Sequence, residues 1–306
     1  MTSIPEPPNC DGKFHLICEN SKLSWEQLPV HRTRNNEKQK LLFIIAGQSN
    51  AQSANNGPIL PGIDDIHPRI FQYNRKLKTN RYQTENMGNW VPAQHPLQHT
   101  SLYNDNSVGF GLNFAKEYLK TCSSQDELYL VCCAMGGTGF TPVDFGYGPA
   151  CWKKNFKGTY ELYNMMINDV KNLLNQDKEL KVKGLLWHQG ESDIGNWQYH
   201  HDLSNFVKNV REDLGNANLP FVCGTMLKSF KDMNPMTSMV DNVHKGVPQY
   251  MWLAECAIFD DLMGKADFVH FDAESEREMG KRYCQKVLVV EDKYEKALEE
   301  WKRKNS

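Results

Sequence analysis

No stretch of this chain approaches the length of a membrane span, which excludes a helical membrane protein and any membrane partner of that kind. Charge of one sign is not in excess either. The 35 Lys and Arg residues against 37 Asp and Glu leave a net charge of −2, and no basic stripe is interleaved with aromatics, so no nucleic-acid footprint is present. The nine cysteines contain no Cys-x-x-Cys pair, and no histidine spacing or carboxylate cluster argues for a metal. A zinc, redox or other metal site is therefore not expected, and no cofactor is implied. The first residues, Met-Thr-Ser-Ile-Pro-Glu-Pro-Pro, lack a basic start and an apolar core, so no secretory signal is read there. Cys132, Cys133, Cys223 and Cys256 lie in apolar runs, where free thiols behave as small buried hydrophobes; a reduced, cytoplasmic protein is the expectation. Internal repeats and low-complexity segments are also missing.

What is present is an alternation of short apolar runs with helical periodicity. Residues 41–46, 128–133, 182–188, 221–225 and 251–256 read as strands buried on both faces. Between and after them, apolar residues recur at three-and-four spacing: Val108, Leu112, Ala115, Leu119; Tyr163, Met166, Ile167, Val170, Leu174; Leu203, Phe206, Val207, Val210, Leu214; and Met279, Tyr283, Val287. This β-α-β rhythm predicts an α/β fold, a three-layer α/β/α sandwich around a central parallel sheet. Residues 1–40 are set apart as a partly ordered extension, with a small hairpin expected at 14–18 and 23–28. Residues 41–290 form the main domain, and residues 291–306 a charged, solvated C-terminal helix. Two irregular segments, 52–107 and 138–158, begin just after strand ends, where ligands bind in open α/β sheets, and are expected to wall a pocket.

The first strand stops at Gly47-Gln48-Ser49-Asn50. A glycine followed by a serine at a buried strand end is one way to hold a hydroxyl where a base can reach it. The plainer alternative is a helix cap or turn. Asp267 stands three residues before His270, so one loop can carry a base and the carboxylate that orients it. After the third strand come His188-Gln189-Gly190-Glu191-Ser192-Asp193, a polar cluster unusual for a plain turn. Gln189 can offer an amide to a developing oxyanion, and Glu191 can orient His270 or hold the loop. Gly136-Gly137-Thr138 follows the second strand, and the amides of Ser49 and Gly137 with the Gln189 side chain would make a three-donor oxyanion hole. Gln48, Asn50, Thr138, His188 and Trp187 are expected to line the substrate site. Trp90, Trp187 and Trp197 are candidates for a sugar-stacking wall, each with a core role as the alternative.

Taken in order, these pieces resemble the sialate O-acetylesterase-like and acetylxylan-esterase-like group, carbohydrate esterase family six of the SGNH-hydrolase superfamily. The matching stretches are Gly47-Gln48-Ser49-Asn50, Trp90-x-x-Ala93-x-x-Pro96-Leu97, Val108-Gly109-Phe110-Gly111, Gly136-Gly137-Thr138, residues 186–193 and Asp267-Phe268-Val269-His270-Phe271, covering about residues 41–288. The resemblance implies a flavodoxin-like three-layer fold and a metal-free serine esterase that removes O-acetyl groups from an acetylated carbohydrate through an acetyl-enzyme. It carries over Ser49 as nucleophile, His270 as base, Asp267 or Glu191 as the acid with Asp267 favoured by its spacing, and Gly137 and Gln189 as oxyanion donors. Two rival readings stand beside it: an esterase for a non-carbohydrate acyl ester, and a catalytically silent carbohydrate-binding relative. Oligomeric state is left open.

Overall fold

The structure is a computed structural model and describes residues 38–53, 57–75, 88–97, 106–146 and 148–305. The hairpin expected within residues 1–37 lies outside the described residues. In chain order the elements are β1 (Lys40–Gly47), a one-turn 3-10 helix (Ser49–Ala51), β2 (Ile70–Tyr73), β3 (Trp90–Pro92), α1 (Phe110–Leu119), β4 (Glu127–Cys132), β5 (Val143–Asp144), β6 (Pro149–Cys151), β7 (Tyr160–Glu161) and α2 (Leu162–Gln176). They continue with β8 (Leu180–His188), a second 3-10 turn (Glu191–Asp193), α3 (Tyr199–Asp213), β9 (Phe221–Gly224), α4 (Lys228–Met233), α5 (Thr237–Tyr250), β10 (Ala254–Ala257) and α6 (Ala273–Asn305).

Seven strands form the main sheet in the order β10-β9-β8-β1-β4-β2-β3. The pairings are parallel except for β3, which runs antiparallel to β2 at one edge. The expected parallel sheet is thus present with one added antiparallel edge strand. β2 and β3 come from the segment read as irregular loop. Likewise β5 and β6 of a separate three-stranded sheet come from the second irregular segment, and its third strand, β7, follows just after that segment.

β1 shows why the chain folds into three layers. Successive side chains of a strand point to opposite faces. Leu42, Ile44 and Ala46 join one core with Tyr163, Met166 and Val170 of α2, Phe206 and Val210 of α3 and Val240 and Val247 of α5. Leu41, Phe43 and Ile45 join the other, with Phe110, Phe114 and Tyr118 of α1 and Met279, Tyr283 and Val287 of α6. Phe43 meets both Phe114 and Tyr118 edge-on, each with ring centroids 4.8 Å apart. All residues of β1 from Leu41 onward are buried, which accounts for an unbroken apolar run in place of alternation.

Residues 291–306, expected as a separate helix, continue α6 without a break as far as Asn305, and Tyr294, Ala297 and Leu298 on that stretch are buried. α6 crosses α1 closely at Gly280: a Cβ there would stand 2.5 Å from the Phe110 carbonyl oxygen and 2.6 Å from the Phe114 nitrogen. Backbone atoms on a packed helix cannot step aside as a side chain can. Gly280→Ala therefore destabilises the protein by about 1–3 kcal/mol despite alanine's better helix propensity. Urea unfolding checks this; an unchanged or raised midpoint would show that the two helices can slide apart at no cost.

Candidate active site

Three turns leave the carboxyl ends of β4, β1 and β8, adjacent strands at the middle of the sheet. β1 ends at Gly47, whose φ is +133° and whose missing Cβ would fall on the carbonyl oxygen of His188. Only glycine permits that approach. Gln48 N–H then donates to the same His188 oxygen at 2.9 Å, and the chain turns tightly, with Gln52 N–H reaching Gln48 O at 3.0 Å. Ser49 opens this turn and is 6% exposed, at the floor of the carboxyl edge. The β4 turn is tied to the serine turn by Gly136 N–H, which donates to Gln52 Oε1 at 2.7 Å. Gly137 follows in the left-handed region with φ +71°.

His270 and Asp267 come from the loop between β10 and α6. Asp267 Oδ2 faces His270 Nδ1 at 2.9 Å. Its Oδ1 accepts the backbone N–H groups of Val269 at 3.0 Å and His270 at 2.9 Å. Phe268 between them is left-handed, φ +63°, which lets the loop curl back on the carboxylate. Burial pushes the Asp267 carboxyl up. The hydrogen bonds from the His270 backbone and ring and from Val269 more than offset that and hold it well below the ordinary carboxylate range.

Asn50 joins the two loops. This fully buried residue, next to Ser49, donates from Nδ2 to Glu191 Oε1 at 2.8 Å and to the Val269 carbonyl at 3.2 Å. Its Oδ1 accepts Phe271 N–H at 3.3 Å. The residues on both sides of His270 are thereby bound to the residue that follows Ser49. Neighbouring motif letters in the sequence carry no hint of this clasp, because its partners are more than two hundred positions apart.

Several expected site residues turn inward instead. Gln189 is completely buried; its Nε2 lies 3.2 Å from Gln48 Oε1, 3.3 Å from Thr138 O and 3.0 Å from Asp193 Oδ2, and its Oε1 accepts the Tyr199 hydroxyl at 2.8 Å. Both amide hydrogens are so engaged between the turns, where Gln189 acts as a strut. Gln48 is its partner and also accepts Ser192 N–H at 3.1 Å. Thr138, expected to meet substrate, is buried. Its hydroxyl donates to Met135 O at 2.6 Å and accepts Trp152 Nε1–H at 3.0 Å. Trp187 is fully buried against Phe140, Trp152 and Phe206, a core residue with no face for sugar. Trp90 packs edge-on against Tyr129 on the far edge strand, and Trp197 is 77% exposed. Asp193, a residue whose role no motif spacing signals, ties the turns together by accepting Phe140 N–H at 2.7 Å and Thr141 N–H at 2.9 Å.

His188 is buried as well. Tyr283 donates its hydroxyl to Trp187 O at 2.9 Å, so at 3.0 Å it accepts from His188 Nδ1–H. Burial lowers the His188 pKa to about 3, which keeps the ring neutral. Its Nε2 stands 3.8 Å from Glu191 Oε1. Glu191 faces Asn50 and His188, whereas the carboxylate on His270 Nδ1 is that of Asp267. Burial raises the Glu191 pKa to about 7, and its Oε2 has no hydrogen-bond partner among the described residues. The folded state therefore holds a proton that the unfolded chain has released. Stability from this group is full below about pH 4.5 and is lost as pH rises to about 7, by roughly 3 kcal/mol in total. Glu191→Gln flattens the pH dependence of unfolding in that window; a variant as steep as the parent would assign the slope to another group.

Among the described residues no group of three His, Cys, Asp or Glu is arranged to hold a metal, no helix is long and apolar enough to cross a membrane, and the seven cysteines are free.

A doubly wound sheet with a serine turn and an Asp–His loop gathered at its carboxyl edge is the build of a carboxylic ester hydrolase. The chain belongs to the family described as carbohydrate esterase, sialic acid-specific acetylesterase, which matches residues 39–289. It is 24% identical over 225 residues to a probable 9-O-acetyl-N-acetylneuraminic acid deacetylase of Escherichia coli (strain K12), covering 63% of this chain and 69% of the relative. It is 27% identical over 196 residues to a probable carbohydrate esterase of Arabidopsis thaliana, covering 59% and 66%. Among solved structures, an X-ray structure of an Arabidopsis thaliana protein superposes with a TM-score of 0.66 at 20% identity, over 81% of this chain and 98% of that one, a likeness of fold.

Proposed function

We propose that the protein removes O-acetyl groups from an acetylated carbohydrate through an acetyl-enzyme formed on Ser49. His270 Nε2 takes the Ser49 proton as the oxygen attacks the acetyl carbonyl, and Asp267 holds the ring by Nδ1–H and balances the imidazolium. The imidazolium returns the proton to the departing sugar oxygen. Water then enters, loses a proton to the same nitrogen and attacks the acetyl carbonyl; the imidazolium returns that proton to the Ser49 oxygen as the acyl bond breaks and acetate leaves. The backbone N–H groups of Ser49 and Gly137 are the oxyanion donors in this reading, at the ends of neighbouring strands β1 and β4.

One observation carries the proposal. Asn50 binds the Val269 carbonyl and the Phe271 amide, which holds the Asp267–His270 pair to the residue beside Ser49. The free thiols on the described strands accord with a reducing compartment. Sialic acid acetyl esters head the substrate series, because the Escherichia coli relative is named for one and the family for that sugar. The test is acetate release from acetylated sialic acids, acetylated xylan and simple acetyl esters, with a fluorophosphonate probe alongside. Labelling lost in Ser49→Ala together with preferential release from an acetylated sugar is the expected result. Folded protein that neither labels nor releases acetate would leave a binding protein; labelling with release only from simple esters would leave a non-carbohydrate esterase.

A further inference from the structure

Phe145 is half exposed, yet the tip of its ring is not free. A Cβ added to Gly137 would collide with Phe145 Cζ and stand 3.2 Å from Cε1 and Cε2, so the ring meets the Gly137 Cα tip-on. A half-exposed phenylalanine directed at a left-handed glycine of the serine site is not explained by core packing, since it belongs to neither core.

The segment that carries it is held in place. Phe145 follows β5 and precedes β6, and Asp144 Oδ1 draws the tip together by accepting Gly146 N–H at 2.8 Å and Gly148 N–H at 3.0 Å. Beyond β6, Trp152 N–H donates to Gly139 O at 3.0 Å and Trp152 Nε1–H to Thr138 Oγ1 at 3.0 Å. The hairpin is thus bolted to the residues immediately after Gly137, and the ring keeps its position relative to that glycine.

We propose that Phe145 sets the acyl-chain length the enzyme accepts, by closing the space beside the Gly137 amide so that a two-carbon acyl group fits and longer ones meet the ring. The inference rests on the reading of Ser49 and Gly137 as the reacting site. A carbonyl oxygen held by the Gly137 N–H places its acyl carbon chain next to the Gly137 Cα, within reach of a ring seated on that atom. A tip-on ring edge leaves room for a methyl group and denies it to a propyl chain. One methylene in an apolar pocket typically changes kcat/KM by about 10–200-fold, so even a partial block is measurable.

The test uses p-nitrophenyl acetate, propionate and butyrate with the full chain and with Phe145→Ala and Phe145→Leu. The wild-type enzyme should prefer acetate. The butyrate-to-acetate ratio of kcat/KM should rise at least about tenfold in Phe145→Ala and by an intermediate amount in Phe145→Leu. Because the side chain is half exposed, both variants should fold, which circular dichroism checks. If wild-type turnover is Ser49-dependent and the chain-length profile of Phe145→Ala matches it, the inference fails while the site stands. It fails in the same way if Phe145→Ala loses only activity on an acetylated sugar, since the ring would then serve the alcohol side. If wild type shows no Ser49-dependent turnover of any of the three esters, the reading of the site falls together with the inference.

Discussion

Replacing Ser49 by alanine lowers kcat for acetyl-ester hydrolysis by about five to six orders of magnitude, His270→Ala does the same within about tenfold, and the double variant is no slower than either. The reason lies in how the two groups depend on each other. A serine hydroxyl is a poor nucleophile until a base removes its proton, and the imidazole has no role in acyl transfer without that hydroxyl. Removing one member therefore removes the function of the other. Rate remaining above the background comes from the oxyanion donors and from binding, which neither substitution touches. Asn50 keeps its bonds to Val269 and Phe271 in the His270→Ala protein, so the loop should stay in place and the loss should reflect chemistry. Single-turnover measurement of acetate release checks the prediction. Losses that multiply in the double variant would mean that the two residues act independently.

Strands 41–46, 128–133, 182–188 and 221–225 are legible in the sequence because each is a short apolar run buried on both faces, and they match β1, β4, β8 and β9 within two residues at either end. Helices α1, α2, α3 and α6 are legible from their three-and-four spacing. α5 is hidden because Gly246 and Pro248 lie inside it, and its concealed end displaces the next strand: residues 251–253 lead out of α5, and β10 begins only at Ala254. β2 and β3 are short strands at one side of the sheet in a segment rich in Asn, Pro and Gly, where pairing of β2 with β4 and of β3 with β2 decides the conformation and local pattern says little.

The site divides along the same line. Asp267 and His270 lie three positions apart and their pairing follows from spacing, whereas the orientation of Gln189, Thr138 and His188 depends heavily on partners distant in the chain. Trp187 is legible in principle. In β8 it falls two positions after Leu185, on the face that joins the same core, and the strand period alone places it there.

Asp267→Asn is expected to lower kcat by about four orders of magnitude, while Glu191→Gln costs about tenfold or less. The difference follows from which atoms each carboxyl must present. Asp267 Oδ1 accepts two backbone N–H groups, from Val269 and His270. In the asparagine variant the amide oxygen must occupy that position, because an NH2 group there would face two donors. The NH2 is then left opposite His270 Nδ1. That nitrogen must become an acceptor, the ring proton moves to Nε2, and Nε2, which takes the serine proton in the proposed mechanism, can no longer accept one. Glu191 is bound differently. Its Oε1 accepts from Asn50 Nδ2, a role that glutamine fills with its own carbonyl oxygen, so the clasp on the His270 loop survives. Acetate-release kinetics on the two variants separate the roles. A reversed ranking, with Glu191→Gln the slower enzyme, would transfer the acid role to Glu191 and leave Asp267 as the residue that shapes its loop.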